Sequence, residues 1–148
     1  MNMKYLRFII LFIVFIGMVI YVRKTGAREY GENNKVLKNG VTFEGVVTDI
    51  KISRNHSFGI LTVNVLNSSV KEFSKKLNHG IYPYKIQGKQ AEIYLPIFIE
   101  RQIGDTIKLF SDKQVIYYKS KKSQDEGEVY IITEPEDIEF VKENTIFK

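Results

Sequence analysis

The chain has 148 residues, 44% hydrophobic and 26% charged, with a formal net charge of +5 and no cysteine. The missing cysteine excludes a lipoprotein anchored through an acylated cysteine and any thiolate zinc site. The positive balance points first to nucleic acid, but its distribution removes that reading. The five excess positives are Lys4, Arg7, Arg23, Lys24 and Arg28, and from Glu29 onward 17 basic side chains meet 17 acidic ones.

Four of those five charges flank an uncharged run of fifteen residues, Phe8 to Val22. As a helix this run reaches about 22 Å, against roughly 30 Å of hydrocarbon. Snorkelling of Arg7 would add Tyr5 and Leu6, and Tyr5 and Tyr21 suit the two interfaces. The run therefore reads as an uncleaved signal-anchor, residues 1–24, whose membrane part ends at Phe8 and Val22. A cleaved leader is the alternative, with Thr25-Gly26-Ala27 as its small-residue site; the basic pair Arg23-Lys24 just after the apolar run argues against it. The positive-inside rule is evenly balanced here, because both flanks are basic. The charged n-region and short tail favour the tail inside and the domain outside, which predicts a single-pass membrane protein with an extracytoplasmic domain.

Residues 25–40 read as a polar linker, and residues 41–148 suffice for one compact domain. Val46, Ile50 and Ile52 fall at even spacing with Val47, Asp49 and Lys51 between them, and Phe58 to Leu66 places Leu61, Val63 and Val65 on one face. Around the polar turn Ser53 to Ser57 these runs predict a long β-hairpin. Val70, Phe73 and Leu77 then change to helical spacing behind a Ser69-Val70-Lys71-Glu72 capping box, and Gly80 follows as a stop, so a short inserted helix is expected. Strands are expected at Ile81 to Ile86, with Pro83 marking an edge or a beginning, and at Ala91 to Leu95, Thr106 to Phe110, Val115 to Lys119 and Val129 to Thr133. Ser120 to Gly127 reads as a polar loop and Pro135 as a helix start. The pattern gives a mainly β fold: a small antiparallel barrel or sandwich, OB-like in outline, with one short inserted helix behind a single transmembrane helix. Charge is uneven within the domain. Residues 29–124 hold 15 basic and 9 acidic side chains and residues 125–148 hold 2 and 8, so the acidic end either folds over a basic face or meets a partner.

Chemistry is sparse. His56 and His79 lack ligand spacing and read as turn residues, and no nucleophile elbow or phosphate-binding glycine loop occurs, so no catalytic residue, metal site or cofactor is assigned. Two aromatic and basic stretches, Ile81 to Lys85 and Tyr117 to Lys122, nominate Tyr82, Tyr84, Lys85, Tyr117 and Tyr118 as an interaction surface. Nucleic acid is not expected on a neutral domain, which leaves a protein, glycan or lipid. The bland alternative is that tyrosine is a favoured strand residue. Asn55-His56-Ser57 and Asn67-Ser68-Ser69 match the N-glycosylation pattern, which matters only in a eukaryotic secretory pathway.

The phrase F-E-G-V-V-T-D-I at Phe43 to Ile50, the hairpin Asn55-His56, and I-G-D-T-I-K at Ile103 to Lys108 resemble recurring phrases of small exported or membrane-anchored β-rich proteins of unknown function from Bacteroidota. The sequence departs from them at Thr106, where serine is usual. The resemblance implies an extracytoplasmic β domain with Gly104-Asp105 as a strand-entry turn, and it carries no catalytic residue. Asp105-Thr106-Ile107 also resembles the O-glycosylation pattern of exported proteins in that group. The expected function is a non-enzymatic envelope protein, anchored in the bilayer, whose domain binds an envelope protein or surface component. A secreted domain, a cytoplasm-facing adaptor and an enzyme with a dispersed site are the alternatives.

Overall fold

The computed structural model describes residues 3–98, 100–121 and 123–147, and for residues 3–6 and 29 the backbone alone. The readings placed on the side chains of Lys4, Tyr5 and Leu6, and on Lys122, lie outside these described residues. The chain divides into two compact units, Met1–Val36 and Leu37–Lys148.

The first unit consists of helix α1, Met3–Leu37, up to its last residue. Its apolar side chains from Phe8 to Val22 are exposed, and the helix is long and apolar enough to cross a membrane. The stretch read as a polar linker is helical as far as Leu37. Thr25 returns its hydroxyl to the Tyr21 carbonyl at 2.9 Å, and Arg28 pairs with Glu32 one turn later at 3.0 Å. The Arg28–Glu32 pair offsets a small part of the helix weakening by Gly26 and Gly31.

The second unit is mainly β, as the sequence predicts. Among the described residues, eight strands form one antiparallel sheet: β1 (Thr42–Ile52), β2 (Phe58–Ser68), β3 (Glu72–Phe73), β4 (Tyr84–Gln87), β5 (Gln90–Pro96), β6 (Thr106–Phe110), β7 (Val115–Lys119) and β8 (Gln124–Glu128), in the order β3-β4-β5-β2-β1-β6-β7-β8. Helix α2, Pro135–Asn144, follows. The β1–β2 hairpin, β5, β6, β7 and the Pro135 helix start fall where the sequence places them.

The sheet is rolled but not closed by strand pairing. Phe43 on β1 and Tyr84 on β4 bring their rings to 6.0 Å although β2 and β5 lie between those strands. A flat sheet would hold them about 14 Å apart. Inside the roll lie Phe43, Val47, Leu61, Val63, Tyr84, Ile93, Ile107, Leu109, Ile116 and Tyr118, all buried. One bridge, Ile81 with Ile132, ties the segment after β8 to the segment before β4. A second, smaller core lies on the other face, where Val141 of α2 packs against Phe58, Ile60, Tyr94 and Ile132. β2 is thus buried on both faces over its first half.

Three expectations are corrected. Val46, Ile50 and Ile52 do not share a buried face: the register of β1 shifts between Glu44 and Gly45 and again between Val47 and Asp49, so Phe43 and Val47 point inward and Ile52 is exposed. A bulge inserts one residue and reverses the parity of the strand beyond it. The inserted helix at 70–77 does not form; Phe73 instead joins strand β3 and packs 5.1 Å from both Tyr82 and Tyr84. Eight residues are too few to sustain a helix without packing, so the aromatic contact decides. The last strand is Gln124–Glu128, which takes up the second half of the stretch read as a loop and one residue beyond it, while 129–133 carries only the Ile132 bridge. An edge strand with exposed polar side chains has no apolar alternation to reveal it.

Candidate functional site

The nominated tyrosines separate on folding. Tyr82, Tyr84 and Tyr118 are buried, and only Lys85 and Tyr117 keep part of their surface. Asn39 donates to the Tyr82 hydroxyl at 2.7 Å, and the Tyr84 hydroxyl donates to the Asn39 side-chain oxygen at 3.1 Å. One asparagine therefore organises both phenols beneath Phe73. Burial raises both tyrosine pKa values above the usual 10.0, and it raises those of Tyr94 and Tyr118 likewise. Lys85 turns to the other face, where it reaches the Phe147 carbonyl at 3.3 Å.

Tyr117 does lie on a surface, the outer face of β6 and β7. Strand alternation puts Lys108, Phe110, Tyr117 and Lys119 together there, because Lys108 opposes Tyr117 and Phe110 opposes Val115. Phe110 and Tyr117 meet edge to face at 5.8 Å. Lys108 and Lys113 place their ammonium groups 5.5 and 5.3 Å from the Phe110 ring, and Lys108 also stands 3.5 Å from Glu44. Two shallow depressions adjoin this aromatic pair. One of about 330 Å³ runs from Phe110 toward Asn67 and Ser69, and one of about 310 Å³ lies between Thr106, Tyr117 and Gln124. Half-buried aromatics edged by lysines form a contact surface able to stack on an apolar or planar group and pair with an anion.

Behind this face the loop between β5 and β6 closes the roll. Arg101 lays its guanidinium 3.5 Å from the centre of the Tyr118 ring and bonds Asp125 at 2.8 Å, with its side chain only 6% exposed. Gly104, at φ +95, permits the turn into β6, and the Asp105 carboxylate accepts the Gln102 amide at 2.9 Å. Gly104-Asp105 is thus a strand-entry turn. Thr106, the hydroxyl of the three-residue modification pattern, is half-buried within β6.

The histidines contribute little geometry. His56 and His79 are both exposed, and His56 sits in the hairpin turn at φ 45. Among the described residues no group of three His, Asp or Glu side chains is placed to hold a metal ion. Neighbouring Asn55 donates to Asp137 of α2 at 3.1 Å, so this glycosylation-pattern asparagine is engaged by the fold.

Sequence reasoning missed Glu92. It is fully buried in β5 and accepts hydrogen bonds from the Tyr94 hydroxyl and the Ile146 amide, both at 2.9 Å, and from the Thr145 hydroxyl. Lys51 binds the Asn144 carbonyl at 2.7 Å nearby. Lys51 holds the last residue of α2, and Glu92 and Lys85 hold the segment beyond it, against the sheet. The signal for this role was a lone acid within the apolar run Ala91 to Leu95. Comparison with protein-family models, with curated proteins and with solved structures gave no match.

Proposed function

We propose that the chain is a single-pass, membrane-anchored binding protein of the bacterial envelope, with its β domain on the periplasmic side of the inner membrane. The observation that carries the reading is α1, a helix whose exposed apolar stretch, Phe8 to Val22, has no place in water. Its continuation through Thr25–Ala27 without a break supports retention over cleavage, since the small-residue site lies within regular helix. Lys4 and Arg7 ahead of the apolar stretch support a tail-inside orientation.

The domain is a non-enzymatic interaction module, and its binding surface is the Phe110–Tyr117 face with Lys108 and Lys119. Two fusions at the C-terminus test the orientation: alkaline phosphatase, which is active only after export, and a fluorescent protein that matures only in the cytoplasm. Phosphatase activity with a dark fluorescent fusion is the expected pair. The reverse pair establishes the cytoplasm-facing adaptor, toward which Arg23, Lys24 and Arg28 would pull. Recovery of the domain free of the membrane, with a new N-terminus near Ala27, establishes the secreted form. Native-membrane crosslinking from Tyr117, replaced by a photoreactive analogue, then tests the surface; adducts that match those from exposed Leu66 would remove it.

A further inference from the structure

The sheet has two free edges, and they differ. β3 is two residues long, too short to template a partner, whereas β8 spans Gln124–Glu128 and is exposed at every position but Gly127. Two hydrogen bonds at opposite ends of the β7–β8 ladder fix which groups of β8 are used. Val129 N–H donates to the Gln114 carbonyl, and Ser120 N–H donates to the Ser123 carbonyl, each at 2.9 Å. The register runs without a shift between them, Val115 with Glu128 through Lys119 with Gln124. Hydrogen-bonded pairs alternate with non-bonded pairs in an antiparallel ladder. Asp125 and Gly127 therefore turn their amides toward β7, and Gln124, Glu126 and Glu128 turn their N–H and C=O groups outward, where no strand meets them among the described residues.

Charge selects among strands that could add there. The side chains of Glu126 and Glu128 share the outer face with Tyr117, since Glu126 opposes Tyr117 directly. Neither is in an ion pair among the described residues, whereas Asp125 is bound by Arg101. A second copy of β8 would bring like charges into register, which destabilises cross-strand pairs. A strand carrying lysine or arginine beside Glu126 and Glu128, at the border of the face and one strand away from Lys108, would match the two acids.

We infer that β8 is a docking edge for an extended basic segment of another polypeptide, which joins the sheet as an added strand. The inference rests on the reading of the domain as an interaction module and names its partner. It also gives the acidic end of the chain a role, with Glu126 and Glu128 as the acids presented to the partner and those of α2 left outside the edge.

The test uses the full-length chain in detergent micelles, isotope-labelled, with a short synthetic peptide alternating threonine and lysine as probe and its threonine–glutamate counterpart as control. The lysine peptide is expected to bind and to slow hydrogen exchange at the amides of Gln124, Glu126 and Glu128, and the glutamate peptide to do neither. Glu126→Pro removes an outward donor without touching the β7 ladder, as edge prolines do, and should weaken binding by about tenfold or more. The double charge reversal Glu126→Lys with Glu128→Lys should do the same in a chain that keeps every backbone donor. Binding without slowed exchange at those three amides, equal binding by both variants, or no binding overturns the edge. Loss of binding in Tyr117→Ala with full binding in Glu126→Pro also overturns it, while leaving the outer face as the module's surface. Slow, concentration-dependent exchange of the same amides without peptide would assign the edge to a second copy and overturn the proposal.

Discussion

Replacing Glu92 by alanine tests the account of how the chain end is held. The carboxylate is fully buried and accepts three hydrogen bonds, two of them from residues beyond α2. Hydrogen bonds to charged groups contribute roughly 1.5–3 kcal/mol each. Thr145 and Ile146 lie near the surface, and water recovers part of their loss, so about 1 kcal/mol apiece is the fitting figure for them. The Tyr94 hydroxyl is deeper and stays closer to 1.5 kcal/mol. Relief of the buried charge offsets a fraction of this sum, leaving a net loss of about 3 kcal/mol. With a urea slope of roughly 1.2 kcal/mol per molar for a domain of this size, the unfolding midpoint should fall by about 2.5 M. The assay is urea titration of the detergent-solubilised chain followed by sheet ellipticity, paired with carboxypeptidase digestion of the native protein, which should remove the end beyond Asn144 faster in the variant. Glu92→Gln keeps one carbonyl acceptor and should lose about half as much. A midpoint within about 0.4 M of the parent for Glu92→Ala would refute the reasoning, because it would mean that water serves these donors as well as the carboxylate does.

Three further outcomes follow from the same geometry. Arg101→Ala removes the guanidinium from the Tyr118 ring and from Asp125, and should cost about 2–3 kcal/mol in thermal or urea unfolding; Arg101→Lys should recover less than half, since an ammonium cannot stack as a planar fork does. Full recovery by lysine would show that charge alone acts there. Gly59→Ala would drive a methyl into the Lys51 carbonyl oxygen and to 2.6 Å from the Ile97 Cδ1 atom, so it should destabilise by about 3 kcal/mol or more; a neutral result would show that the β1–β2 hairpin opens freely at this point. In alkali, Tyr82, Tyr84, Tyr94 and Tyr118 favour their neutral forms in the fold, with pKa values above the unfolded 10.0. Their contribution is intact below about pH 10 and falls by about 1.4 kcal/mol per pH unit for each phenol above it. Their tyrosinate absorbance should therefore appear together with loss of sheet ellipticity, and its appearance in a chain that is still folded would count against their burial.

The anchor yields a fourth outcome. Val14→Arg places a charge near the middle of a span that is already short, at a cost of about 2.5–3.5 kcal/mol, and should move much of the chain from the carbonate-resistant membrane fraction to the supernatant. An unchanged distribution would mean that α1 does not hold the chain in the bilayer.

Local chemistry alone determined several features of this protein. The uncharged run from Phe8 to Val22 specified an apolar helix, because its composition is a local property. Pro135 followed by Glu136 and Asp137 specified where α2 begins, for the same reason. Gly104-Asp105 specified a turn, and the alternation in Thr106–Phe110 and Val115–Lys119 specified two strands, each decided within a handful of neighbouring residues. Tertiary structure decided what depends on distant partners. Thr48 bulges out of β1 and reverses the parity of Ile50 and Ile52, which pairing with β2 determines and residue period does not. Phe73 abandons a helical pattern for two tyrosines that only the fold brings beside it. The phenols of Tyr82, Tyr84 and Tyr118 go inside because the sheet rolls, and Tyr117, adjacent in sequence to one of them, stays on the outer face because successive strand residues point opposite ways. Glu92 and Arg101 look like surface charges in the sequence, and the fold encloses Glu92 with three donors and sets Arg101 between the Tyr118 ring and Asp125. β8 is the clearest case: its residues carry the composition of a loop, and pairing with β7 makes them an edge strand.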